Sequence, residues 1–220
     1  MKQQFKKQWA AFRHWLKSDQ FKCSSEQQLI IGLGTGRCGT VSLANLLDGQ
    51  NDCRVFHEIK PILPWRMDNG FLAKRMNHLY ESKQSFIGEV GSSYLPYVEQ
   101  IIEWVPNAKF VCLKRNQAKT VASFMRKTEG RNHWMKHDGQ EWKKDEWDDF
   151  FPKFEINNKK EALNAYWETY YKESERLAQK HPGQFKIFAT EVLNNEKELV
   201  KLFDFLGIPQ AQINHIHLND

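Results

Sequence analysis

No stretch of the 220-residue chain approaches the apolar length of a membrane span. The opening residues, MKQQFKKQWAAFRHWLKSDQF, have no long apolar core, so no secretory signal is expected there. They read instead as a basic amphipathic helix with Phe5, Trp9, Phe12 and Leu16 on one face, a helical extension over residues 1–27. Cysteine is scarce: Cys23, Cys38, Cys53 and Cys112 form no C-x-x-C pair. Cys53 and Cys112 lie in apolar, strand-like runs, where a thiol behaves as a small hydrophobe. Reduced thiols and a cytoplasmic location are the expectation. There is no internal repeat and no low-complexity segment. Charge of one sign is also lacking, since the net charge is only +5. That balance suits an anionic small ligand and does not point to nucleic acid.

What is present is enough for one globular domain: 40% hydrophobic residues over a length that buries a real core. Short apolar runs alternate with helical spacing. QQLIIGLG, CRVFHE, SFIGEV, KFVCLKRN and FKIFATE read as strands. Between them, TVSLANLLDG, FLAKRMNHLYES, SSYLPYVEQIIEWVPNA, QAKTVASFMRKTEG, KEALNAYWETYYKESERLAQK and NNEKELVKLFDFLGIP read as helices. In this reading serines cap the helix before Pro106, and the helix after KFVCLKRN runs to Gly130. The alternation predicts a three-layer α/β fold of the P-loop type. A mostly parallel sheet of about five strands is covered by helices on both faces. A ligand then belongs at the carboxyl ends of the strands. Residues 131–159 change character, being rich in Trp, Asp, Lys, Phe and His without clean period. They are expected to cap one end of the sheet on the acceptor side.

The run GTGRCGTVS lies between the first strand and its helix. Gly34, Gly36 and Gly39 allow a tight turn whose N–H groups, with the following helix N-terminus, can cradle a phosphate. Thr40 and Ser42 add hydroxyls, and Arg37 places a cation in the cradle. A glycine turn that binds nothing is the alternative; the cation and the position between strand and helix favour an anion site. The lysine that a nucleotide triphosphatase carries before its Ser/Thr is missing, because Gly39 is followed directly by Thr40. The neighbouring strands end in Lys114 and Arg115, or offer Glu89, and none ends in a magnesium-binding Asp. No metal is therefore expected, and a transferable group of low charge is favoured over a triphosphate.

GTGRCGT resembles the 5′-phosphosulfate loop of the sulfotransferases that use 3′-phosphoadenosine-5′-phosphosulfate, which carries Lys or Arg two positions before its last glycine. LKRNQAKTVASF resembles the second motif of that family, a strand ending in Arg with Ser eight positions later: here Arg115 and Ser123. GEVGSSYLPYVEQIIEWVPNAKFVCLKRN and FATEVLNNEKELVKLFDFLGIP are similar to the segments around it. The resemblance spans most of residues 29 to 209 and weakens between about 130 and 160. It implies a cofactor site made of Gly34, Thr35, Gly36, Arg37, Cys38, Gly39, Thr40, Val41 and Ser42. Arg115 and Ser123 would hold the 3′-phosphate. Arg37 would act on the bridging oxygen during transfer to a hydroxyl or amine, on a glycan or a small molecule.

The base is expected near the end of the second strand, at Glu58 or His57, with Glu89 a third candidate. Strand alternation would turn one of the first two toward the cleft. The family's C-terminal RKG run is absent, and Arg126, Lys127 or Arg131 are candidates to replace it. His133 and His137 have i, i+4 spacing without the H-E-x-x-H pattern of a zinc site. Two other readings remain: a P-loop kinase, marked by Mg²⁺-dependent ATP turnover, and a non-catalytic nucleotide-binding protein, marked by cofactor affinity without transfer.

Overall fold

Leu29, Ile30, Ile31 and Leu33 have no exposed surface, so the first apolar run must be covered on both faces. It forms β1 (Gln28–Leu33), the central strand of the sheet. The computed structural model describes Phe21, Cys23 and residues 26–66 and 68–209. Phe5, Trp9, Phe12 and Leu16 lie outside the described residues.

After β1 the chain runs through α1 (Thr40–Asp48), β2 (Cys53–His57), α2 (Asn69–Tyr80) and β3 (Phe86–Val90). A 3₁₀ turn (Ser92–Tyr97) leads into α3 (Val98–Trp104), β4 (Lys109–Lys114) and α4 (Gln117–Lys127). Then come α5 (Lys159–Lys180), β5 (Phe185–Ala189), a second 3₁₀ turn (Thr190–Asn194) and α6 (Glu196–Leu206). The five strands are all parallel, in the order β2-β3-β1-β4-β5. The chain leaves β1 toward β2 and β3 on one side and later returns to β4 on the other. The loops after β1 and β4 therefore open a crevice at the carboxyl edge, where open parallel sheets bind ligands.

Local chemistry sets most helix ends. Side chains of Asp68, Asn116, Asn158 and Asn195 each accept a backbone N–H at the start of α2, α4, α5 and α6. Gly207 ends α6 in the left-handed region at φ 74. Two expectations change. The segment after β3 is not one serine-capped helix: Ser92 and Ser93 lie in a 3₁₀ turn that contains Pro96 and has no side-chain cap, and only Val98–Trp104 is α-helical. Pro96 has no N–H to join a helical ladder, which delays the helix. The other is α4, which stops at Lys127 rather than Gly130, because Thr128 leaves the helical conformation at φ −113 and ψ 35.

Alternation along the strands divides the core in two. Ile30, Val90, Val111 and Leu113 pack against α1 and α6 through Leu43, Leu47, Leu202 and Phe203. Leu29, Ile31, Ile87 and Phe110 face a second cluster that holds Tyr94, Tyr97, Trp134, Tyr166, Tyr170 and Tyr171. Residues 131–158 form no helix or strand beyond an isolated Met135–Phe154 bridge. They are nevertheless packed: Trp134 and Phe124 lie 4.9 Å apart, ring centre to ring centre, and Phe151 and Tyr166 5.5 Å apart. Within this cover His133 and His137 each lie 3.2 Å from the same Asp148 oxygen. His133, Asp145 and Asp148 bring possible metal-ligand atoms within 4.8 Å of one another. Arg131, 3.2 Å from Asp145, and Lys153, 3.7 Å from Asp148, supply cations to the same cluster. Among the described residues no helix is long and apolar enough to cross a membrane.

Candidate active site

Gly34, Gly36, Arg37 and Gly39 all have positive φ, at 152°, 82°, 56° and 92°. Two of these glycines are required by space as well as by torsion. A Cβ on Gly34 would lie 2.4 Å from the Cys38 sulfur, and one on Gly39 would lie 3.0 Å from Leu193. The turn delivers the chain into α1 with Gly39 as a cap that has no side chain to offer. The first amides of α1 have no intrahelical partner and no side-chain cap, which is the arrangement of a helix N-terminus that can receive an anion.

The nine-residue run expected to meet the cofactor splits into two roles. Arg37, Gly39, Thr40, Val41 and Ser42 line a cleft of about 480 Å³. Gly34, Thr35 and Cys38 instead turn inward. Thr35 and Cys38 have no exposed surface, the Gly34 N–H donates to the Tyr170 hydroxyl at 3.0 Å, and burial pushes the Cys38 thiol up to about 11. They brace the loop, and Gly36 faces a second cavity described below. The tyrosines that hold the loop were not singled out by sequence: besides Tyr170, Tyr166 donates to the Thr35 carbonyl at 3.0 Å.

The second motif meets the first. Arg115 donates to the Arg37 carbonyl at 2.9 Å, and the Arg37 Nε donates to the Ser123 hydroxyl at 3.1 Å. Arg115 and Ser123 line the same cleft, together with Lys119, Arg126, Thr190, Glu191 and Asn194. Arg37, Arg115, Lys119 and Arg126 enter no ion pair among the described residues. Four uncompensated cations around one cleft, against the single carboxylate of Glu191, suit it to a polyanion. Thr190 and Asn194 come from the turn after β5, inside the FATEVLNN stretch, whose family resemblance marked no site residue.

Beside this cleft lies a chamber of about 310 Å³. Arg37, Thr40 and Val41 form walls of both. His57 and Glu58 line the chamber together, which strand alternation did not predict. The reason is conformational: β2 ends at His57, and Glu58 takes a left-handed φ of 45°. His57 Nε2 is 3.2 Å from the Thr40 hydroxyl and its Nδ1 is 3.9 Å from Glu58. Burial holds His57 below its ordinary value. Burial, then the nearby Glu89 charge, raises Glu58 to about 7.

Glu89, the third candidate base, is committed elsewhere. It is 1% exposed. It receives Arg75 Nη1 at 2.6 Å on both oxygens, the Tyr94 hydroxyl at 2.6 Å and the Ile59 N–H at 2.7 Å. Arg75 also donates to the carbonyls of Ile59 and Pro61. The buried pair thus holds the backbone just beyond Glu58, and Glu89 has no free lone pair facing a substrate. The three proposed replacements for the missing RKG run also separate: Arg126 lines the basic cleft, whereas Lys127 and Arg131 line the chamber. The remaining chamber wall comes from Phe124 and from Trp134, Trp147 and Phe151 of the covering segment.

The fold is similar to that of a sulfotransferase from Alicyclobacillus acidocaldarius, at 17% identity and a TM-score of 0.53, covering 88% of this chain and 86% of that one. It is also similar to mouse sulfotransferase SULT7A1, determined in complex with PAP, at 16% identity and a TM-score of 0.53, covering 89% and 64% of the two chains. No curated protein sequence matches this chain. A family model described as the sulfotransferase domain matches residues 29–220. With both family motifs meeting at one basic cleft, the chain belongs to the sulfotransferases.

Proposed function

We propose that this sulfotransferase takes a sulfuryl group from 3′-phosphoadenosine-5′-phosphosulfate and passes it to a hydroxyl by in-line displacement. The observation that carries this reading is the position of Arg37, in the wall common to the basic cleft and the chamber. A cation there serves the bridging oxygen, where charge grows as the bond to sulfur breaks. The donor supplies the activated sulfuryl group; the chain's own residues bind, orient and remove a proton.

In this assignment the amides at the start of α1, with Thr40 and Ser42, hold the 5′-phosphate. Arg115 and Ser123 hold the 3′-phosphate, with Arg126 beside them in place of the missing basic run. Glu58 takes the proton of the acceptor hydroxyl, and its place near pH 7 matches it to that task. His57 orients the site through Thr40. The described residues work as one catalytic unit, with residues 131–159 as the acceptor-side cover. Cys38, Cys53 and Cys112 are buried free thiols, which supports a reducing, cytoplasmic setting.

Calorimetry with 3′-phosphoadenosine-5′-phosphate and with AMP tests the cleft. The bisphosphate is expected to bind tighter by roughly 1.5–3 kcal/mol, the worth of one charge-assisted contact set. EDTA is expected to leave that affinity unchanged. Equal affinity for the two nucleotides overturns the roles of Arg115 and Ser123, and a strict Mg²⁺ requirement restores the kinase reading.

A further inference from the structure

We propose that the acceptor is an anionic ring alcohol: one six-membered ring with a hydroxyl at Glu58 and a carboxylate or similar monoanion at Lys127. The proposal rests on the reading of the 310 Å³ chamber as the acceptor site.

Size and wall chemistry come first. A chamber of that volume is at the small end of ligand pockets and holds one substituted ring rather than an extended chain. Phe124, Trp134, Trp147 and Phe151 give it flat apolar walls, which match the faces of an aryl or a pyranose ring.

Charge then narrows the class. Lys127 and Arg131 sit on the chamber, apart from the cleft assigned to the nucleotide. Arg131 is matched by Asp145 at 3.2 Å. Lys127 enters no ion pair among the described residues. A lysine in the last turn of a helix gains something from the helix dipole alone. Its place on the rim of an aromatic chamber gives it a second use, as a selector of negative charge.

The test uses full-length protein saturated with 3′-phosphoadenosine-5′-phosphate and calorimetric titration with two matched pairs. One pair is 4-hydroxyphenylacetate and its amide; the other is methyl glucuronide and methyl glucoside. The acid is expected to bind roughly tenfold or more tighter than its neutral partner in one pair, which tells aryl from sugar. Lys127→Met is expected to bring that pair within about twofold of each other, with nucleotide affinity unchanged. The proposal is overturned if neither acid is favoured, saturable binding being absent included, or if the preference survives Lys127→Met. It is also overturned if Lys127→Met weakens the nucleotide, because the lysine then serves the donor. Failure of the nucleotide to bind at all sinks the donor assignment; normal nucleotide binding without an acid preference sinks this proposal alone.

Discussion

The two faces of the sheet solve different problems. On the side of α1 and α6 the buried residues are Leu, Ile, Val, Ala, Cys and Phe, and the cluster contains no tyrosine among the described residues. The opposite side buries Tyr94, Tyr97, Tyr166, Tyr170 and Tyr171. Four of these hydroxyls end on backbone carbonyls, and that of Tyr94 ends on Glu89. Tyr170 accepts from Gly34 and donates to the Ser92 carbonyl at 3.1 Å, and Tyr171 donates to the Leu113 carbonyl at 2.7 Å. A tyrosine has an apolar body and a polar tip. The aromatic face is therefore a core that also hydrogen-bonds the irregular backbone around the glycine loop, whereas the aliphatic face meets that loop only by packing, through Cys38 and Leu193.

The largest expected effect tests the aliphatic side. Leu202→Ala should cost about 2–5 kcal/mol in denaturant unfolding, the usual range for a fully buried leucine. Nucleotide affinity of the folded fraction should hold. A parallel loss of affinity would erase the distinction between the faces.

Next comes Glu58→Gln, on the site edge of the aromatic side. It should lower kcat by roughly a hundredfold, about 2.7 kcal/mol, with product-nucleotide affinity nearly intact. His57→Asn is the paired measurement, and a greater loss there would swap the two roles. The pH dependence has two opposite signs. As a base Glu58 must be ionised, so transfer should rise through about pH 7. For stability, a carboxyl whose folded value is raised favours its protonated form. That contribution is whole below about 4.5 and is lost as pH rises through about 7. Glu58→Gln should remove both dependences.

The smallest effect is the sharpest discriminator. Tyr170→Phe keeps the ring and strips its hydroxyl, leaving the Gly34 N–H and Ser92 carbonyl short of a partner. A cost of about 1–3 kcal/mol is expected. Unlike Leu202→Ala, it should weaken the bisphosphate nucleotide at the same time. Unchanged affinity would make the tyrosine ordinary packing.

The strands and the loop were legible because they are local: a buried run, three glycines and a cation lie within a dozen or so residues of chain. That Arg115 and Ser123 share one cleft was legible because the helix that follows the strand keeps its spacing. The shared placement of His57 and Glu58 was hidden by one torsion, since a residue with positive φ breaks strand alternation and leaves no composition signal. The division of Arg126 from Lys127 was hidden because adjacent residues on a helix point about 100° apart, into different cavities. The bracing tyrosines of α5 looked like any amphipathic stripe, and only tertiary contact shows that their hydroxyls reach a loop more than a hundred positions earlier. Aperiodic packing made the structure of residues 131–158 unreadable, since their side chains interlock with no helix or strand to set a period.

That separation along the chain has a consequence for how the molecule comes to be active. Every strand pairing is parallel and so non-local, and β1 waits for both β3 and β4. The glycine loop precedes four of the five strands, and the hydroxyl that fixes Gly34 arrives 136 positions later. During synthesis the glycine loop is therefore exposed long before it has its shape. Nucleotide capture becomes a late event in maturation and a reporter that the chain has finished folding, and the interval before it is when a parallel sheet with open edges is most prone to aggregate.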